Sequence, residues 1–241
     1  MVSDIPSYLV KSIVFSTFIF LILVFVMFCY AIYRLKVPRN KALLYCVITG
    51  VVLVSWFSTV LILGKIGFFA ADLLFAPNII LGFLFLFIVL KKVYSSKVVE
   101  NIVDKIPIPF IVGIQTYRIV GYGFFILYGM GLLPAAFAFP AGIGDMIVGI
   151  AAPFVAAVYF FKKYYPKKLA IIWNILGIVD LIVAIGVGIF AYPRPIQVLP
   201  TEVSTELLSL YPLAIIPLFA VPLATLLHFL SIRSLKKTRE S

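Results

Sequence analysis

Apolar runs of about twenty residues recur along the whole chain, separated by short connections. That pattern constrains the fold more than any other feature. A helix of about twenty apolar residues crosses the roughly 30 Å hydrocarbon core of a bilayer. Lipid offers no partner to backbone N–H and C=O groups, so each span must satisfy them internally, as a helix. Seven runs are read, at roughly 9–33, 42–63, 73–90, 108–130, 140–161, 169–191 and 207–231. The third is the shortest and carries Pro77 and Asn78 near its start. Residues 1–241 are therefore expected to form a single all-α domain of seven transmembrane helices. Composition agrees: 64% of residues are hydrophobic and 12% charged, against about half and a quarter in soluble domains. The first run has a weak basic region before it and no A-x-A site, so it is expected to be an anchor and not a cleaved signal.

Charge placement gives an orientation. Arg34, Lys36, Arg39 and Lys41 follow the first run, and Lys91, Lys92, Lys97 and Lys105 the third. Lys162, Lys163, Lys167 and Lys168 follow the fifth, and Arg233, Lys236, Lys237 and Arg239 the seventh. The opposite connections hold only Lys11, Lys65 and Arg194, beside Asp4, Asp72, Glu202 and Glu206. The positive-inside rule then sets the N-terminus outside and the C-terminus in the cytoplasm, with the plasma membrane as the expected location. It also accounts for the net charge of +11 without a nucleic-acid partner. The segment 91–107 mixes Val93, Val98, Val99, Ile102 and Val103 with lysines. It fits either an amphipathic helix on the anionic inner leaflet or a solvated linker.

Arg118, Asp145 and Asp180 break the apolar pattern. A charge at membrane depth is costly unless paired, hydrated or neutralised, and by default marks a functional site. At 1.5 Å per residue, Arg118 and Asp180 lie at similar depth, about ten and eleven residues in from the inner side. They are expected to pair or to share one cavity. Gln115 is three residues from Arg118 and on its face. Asn174 is six residues before Asp180 and need not share its face. Asp145 is expected nearer the outside, about one turn into its span. Pro140 suits the first turn, and the helix dipole then favours the Asp145 carboxylate. No cationic partner is evident at that depth. Gly142, Asp145, Gly149 and Ala152 form one small-residue stripe, and Gly177, Asp180, Ala184 and Gly188 another, so both aspartates are expected to face helices.

Pro212, Pro217 and Pro222 punctuate the last run, where each removes a backbone donor. Interrupted spans often line binding sites, though a kinked packing helix fits as well. The uncharged stretch Leu132–Phe139 suits either a re-entrant cap or a tight loop. His228 is expected at the inner end of the last run, as an interfacial residue. A single histidine excludes bis-histidine haem ligation and His-rich zinc sites within this chain. No G-x-S-x-G, phosphate loop or paired D-x-x-x-D motif is found. The last run has no lysine for a retinal Schiff base, and no 3+1+3 repeat is evident. Cys29 and Cys46 lack metal-site spacing and are expected to be packing residues. No cofactor, metal or enzymatic activity is expected.

Gln115, Tyr117-Arg118, Gly121, Leu133-Pro134, Phe137, Pro140-Ala141-Gly142, Gly144-Asp145, Gly149, Ala152-Pro153, Trp173-Asn174, Gly177, Asp180 and Ala184 form a run of their own. This run resembles the second half of a group of prokaryotic multi-pass membrane proteins with no assigned function. The resemblance covers about a third of the chain and implies that Arg118, Asp145, Asn174 and Asp180 belong to one constellation. Gln115, Arg118, Asp145, Asn174 and Asp180 are thus the candidate site. One reading is a proton- or cation-linked transporter or solute-binding protein for a small solute or ion. There Asp145 and Asp180 carry the proton or cation, and Arg118 is a counter-charge or anion clamp. The other is a non-catalytic subunit or sensor with a structural Arg–Asp core, working with a partner subunit or as a homo-oligomer. An intramembrane lipid enzyme is disfavoured, because no nucleophile–base or metal set is seen.

Overall fold

The computed structural model describes residues 5–70, 72–73, 76–77, 81–162, 165–193 and 198–237. Asp4, Asn78, Lys163, Arg194 and Arg239 lie outside them. The chain is almost wholly helical. Helices α1 (Ser7–Tyr33) and α2 (Arg39–Lys65) pack side by side. A 3₁₀ turn (Phe68–Ala70) and a two-residue antiparallel bridge follow, pairing Asp72 with Pro77 and Leu73 with Ala76. Then come α3 (Leu81–Ser95) and α4 (Lys97–Val103). Helix α5 (Ile108–Ile114), a 3₁₀ segment (Gln115–Gly121) and α6 (Tyr122–Gly129) run on as one rod. Helices α7 (Ala135–Phe160) and α8 (Pro166–Phe190) complete the outer part. A 3₁₀ turn (Glu206–Ser209) and a π-helical turn (Ile216–Ala220) lead into α9 (Val221–Lys237).

Proline sets most of the helix starts. Pro6, Pro38, Pro107 and Pro134 cap α1, α2, α5 and α7, and Pro166 opens α8. At these positions the missing N–H has no intrahelical partner to lose.

Among the described residues, six helices are long and apolar enough to cross a membrane: α1, α2, the 108–129 rod, α7, α8 and 216–237. Helix α3 has 15 residues, or about 22 Å, and starts at Leu81 and not at 73. Residues 74–75 and 78–80 of that predicted span lie outside the described set.

The fifth span begins at Ala135, five residues before the predicted start, and carries Pro140 and Pro153 inside. Pro134 is the residue that begins it, so Leu132–Phe139 holds the helix's first turn and not a separate loop. The last span is shifted towards the C-terminus, from 207–231 to 216–237. Pro212 precedes it, Pro217 and Pro222 interrupt only its N-terminal part, and the helix continues into the basic residues.

Helix α9 is central. Leu223, Leu226, Leu227 and Leu230 are buried, and it touches α3, α5 and α8. Pro222 cannot donate to the Leu218 carbonyl four residues back. Trp56 Nε1 on α2 donates to it instead, at 3.0 Å. The outward faces are apolar, with Ile143, Ile147, Ile150 and Phe154 exposed along α7 and Ile175, Val179 and Ile182 along α8. Such a surface suits lipid. Helix α4, in the segment read as an amphipathic helix or a linker, packs on α1, with Ile102 and Val103 buried and Val98 exposed.

Candidate functional site

The site is organised by the 3₁₀ segment. Three residues per turn eclipse side chains at i and i+3, so Gln115, Arg118 and Gly121 share one buried face. Thr116 contributes to the irregular backbone by donating its hydroxyl to the Gly113 carbonyl at 2.8 Å.

Arg118 engages three side chains. Its Nε donates to Asp145 Oδ1 at 2.7 Å, and its Nη2 donates to Asp180 Oδ2. Its Nη1 lies 3.4 Å from His228 Nε2. The guanidinium side chain is 1% exposed, and each of its three nitrogens already faces one of these partners.

The expected Arg118–Asp180 contact is present. The expectation that Asp145 lacks a cation is corrected: Asp145 shares Arg118 with Asp180. The reason is the earlier start of α7, which sets Asp145 about ten residues into the helix, at the depth of Arg118. The dipole of the helix end acts only within the first turn and does not reach it.

Glycines make the cluster possible. A Cβ at Gly121 would strike Asp145, one at Gly144 would overlap the Asp180 carboxylate, and one at Gly177 would strike the His228 ring. A Cβ at Gly149 would lie 2.7 Å from the Ile119 nitrogen, so α7 rides directly on the 3₁₀ backbone.

His228 is corrected from an interfacial residue to a fully buried one. Helix α9 runs nine residues past it to Lys237, which moves it from the end of the span into its interior. Arg118 always donates, so His228 Nε2 accepts, and its Nδ1–H donates to Asn174 Oδ1 at 2.9 Å. Asn174 Nδ2 in turn donates to Ala170 O at 2.7 Å and Ser231 Oγ at 3.0 Å. Asn174 thus joins the site through His228 and not through Asp180. The signal for His228 was present in the sequence: Ala224, His228 and Ser231 are spaced to share one face of a helix.

Gln115 Nε2 donates to the Ala224 carbonyl at 3.1 Å, while its buried Oε1 has no hydrogen-bond partner among the described residues. Tyr117, stacked on Phe20 with centroids 3.8 Å apart, donates to the Ala220 carbonyl at 3.2 Å.

Two cavities meet at Asp145. One, of about 50 Å³, runs between Phe124, Phe137, Leu181 and Leu208 towards Thr205 and Tyr192. The other, of about 40 Å³, touches Thr17, Tyr117, Arg118 and Gly121. At about 10–15 Å³ per water, each holds only a few water-sized groups. No group of three His, Cys, Asp or Glu able to hold a metal ion occurs among the described residues.

Residues 74–236 match a family described as a domain of unknown function, DUF8737. No curated protein and no solved structure matches the chain.

Proposed function

Since the chain belongs to the DUF8737 family, whose description carries no activity, we propose a function from the chemistry of the site alone: a proton- or cation-linked membrane protein that binds or carries a small solute. The observation that carries this reading is a charge imbalance. Asp145 and Asp180 share the single guanidinium of Arg118, and the other nearby titratable groups, His228 and Tyr117, are neutral in their bonding pattern. Ionised, the triad holds one negative charge that no further ion pair among the described residues offsets. At membrane depth such a charge is costly, so the cluster gains by taking up one proton or one cation. Proton exchange on a carboxylate beside a cavity is the elementary step of coupled transport.

The proposal includes seven spans, with α3 the short one, the N-terminus outside and the plasma membrane as the location. Its support is the basic residues on alternate connections. The competing reading is a structural core in a subunit or sensor. The filled His228–Asn174–Ser231 chain favours that reading; the open cavities at Asp145 favour ours.

Infrared difference spectra of the purified protein between acid and neutral pH test the proposal. One carboxylic-acid carbonyl band should titrate in the unaltered protein and change in Asp145→Asn and in Asp180→Asn. A spectrum with no such band, or one indifferent to both substitutions, refutes it.

A further inference from the structure

We infer that the solute taken at Asp145 is a small alkylammonium ion, bound with its tail in the apolar cavity and exchanged against a proton. This rests on the reading above and narrows its ligand class. Four observations lead there.

The cavity ends on one carboxylate. Asp145 Oδ1 accepts from Arg118 Nε, and its second oxygen has no hydrogen-bond partner among the described residues. An N–H donor arriving through the cavity would find that oxygen free. The triad carries the missing positive charge as an unmet demand.

Anions are disfavoured by charge, since two carboxylates already surround the one guanidinium. Arg118, the cation of the site, has Nε and Nη2 on the two aspartates and Nη1 towards His228. Its role is counter-charge and not anion clamp.

A dehydrated inorganic cation is badly served. Hard cations take six or more oxygen ligands, or keep a shell of water. The wall here is Phe124, Phe137, Leu181 and Leu208, with two hydroxyls: Thr205 donates to the Gly188 carbonyl at 2.6 Å and Tyr192 to the Ala70 carbonyl at 3.1 Å. An ammonium group needs fewer partners, and its alkyl tail is stabilised by the same apolar wall. The Phe124–Phe137 ring pair, with centroids 5.2 Å apart, adds aromatic surface of the kind that attracts organic cations.

Size bounds the tail. A cavity of about 50 Å³ fits about four non-hydrogen atoms, at the 10–15 Å³ that one water requires. Propylammonium has that number.

The exchange balances without further chemistry. The protonated carboxyl of the triad releases H⁺ to solvent as the alkylammonium arrives, so one positive charge replaces another.

The test is calorimetric titration of the purified full-length chain with propylammonium chloride, in two buffers of different ionisation enthalpy. Propanol, sodium propionate, ammonium chloride and sodium chloride serve as comparison probes. Saturable binding of propylammonium, with buffer-dependent heat reporting release of a proton, is expected. Affinity should fall at least tenfold in Asp145→Asn and in the cavity-filling variant Ala184→Phe. Ala184 lines the cavity without touching Arg118, so the second variant decides the matter if the first does not fold. The inference is overturned if propanol, propionate or ammonium binds as well as propylammonium. It is also overturned if nothing binds, or if both variants keep full affinity. A protein whose carboxyl band titrates but which ignores propylammonium retains the proton reading and loses this one. A protein that binds propylammonium with no titrating band and no proton release loses the proton exchange at the centre of both.

Discussion

Gly144 on α7 lies so close to Asp180 on α8 that a single added methyl group would overlap the carboxylate. The contact turns a glycine into a positional constraint on an ion pair. Gly144→Ala should push Asp180 off Arg118. Overpacking of this kind costs about 1–3 kcal/mol, more than the roughly 1 kcal/mol that alanine gains over glycine inside a helix. Gly186 is the control, since nothing lies within 4 Å of an added Cβ there. Thermal unfolding in detergent should show Gly144→Ala less stable than the parent and Gly186→Ala equal or better. Equal behaviour of the two would show that Asp180 is not seated against Gly144.

Removing the cation of the triad should be worse than removing the whole triad. Arg118→Leu leaves two carboxylates facing each other with no counter-charge. Breaking a buried ion pair from one side costs about 3–5 kcal/mol. The combination Arg118→Leu, Asp145→Asn, Asp180→Asn leaves no net charge and should recover most of that loss, as neutral replacements of buried ion networks often do. Denaturation curves of the two variants decide it. If the single variant is as stable as the triple one, Arg118 is not the charge that holds the aspartates.

What the sequence made legible, and what it hid, follows from the kind of physics involved. The Arg118–Asp180 pair was visible because depth along a helix is linear in residue number, and two opposite charges at equal depth in lipid have strong reason to meet. The role of Asp145 was hidden by one boundary. Starting the helix at Pro140 and not after Pro134 moved the residue by about a turn and a half, enough to give it a helix dipole and deprive it of a partner. His228 was hidden in the same way, because the apolar run set the predicted span several residues towards the N-terminus. Hydropathy sees where apolar runs lie, but a helix rich in basic residues at its C-terminal end continues past the point where hydropathy falls. The glycine contacts could not be read at all. A stripe of small residues announces close packing, but which polar group fills each notch depends on the rotation of the facing helix.

Trp56 should matter through its indole hydrogen bond. Its indole N–H supplies the Leu218 carbonyl with the donor that Pro222 lacks. Trp56→Phe keeps an aromatic ring against Phe219, 4.7 Å away between centroids in the parent, but leaves that carbonyl empty. An unmet buried carbonyl costs about 1–3 kcal/mol. In a Pro222→Ala background the helix can provide its own N–H, so the cost of Trp56→Phe should shrink clearly. A double-mutant cycle on thermal stability measures the coupling. Additive effects would mean that the indole and the proline are unrelated.

The C-terminal end of α9 should loosen in acid and in salt. Glu100 on α4 and Asp104 at its C-cap hold Lys237 at 2.6 Å and 2.8 Å, and Glu100 also pairs with Arg233 at 2.6 Å. The hydrogen bond from Lys237, then its charge, holds the Glu100 carboxyl below its usual range. A carboxylate whose value is lowered by folding stabilises the fold above its unfolded value, near 4.5, and loses that contribution as pH falls through the lower folded value. The clamp is therefore complete at neutral pH and weakens progressively below about pH 4.5. These side chains are partly exposed, so screening by salt should act in the same direction. Amide exchange of residues 97–103 and 231–237 is the readout. It should quicken at low pH or high salt in the parent and be already fast, and insensitive to both, in Glu100→Gln combined with Asp104→Asn. Unchanged exchange across that pH range would mean that apolar contacts through Val103 and Leu235, both fully buried, hold this end without help from the ion pairs.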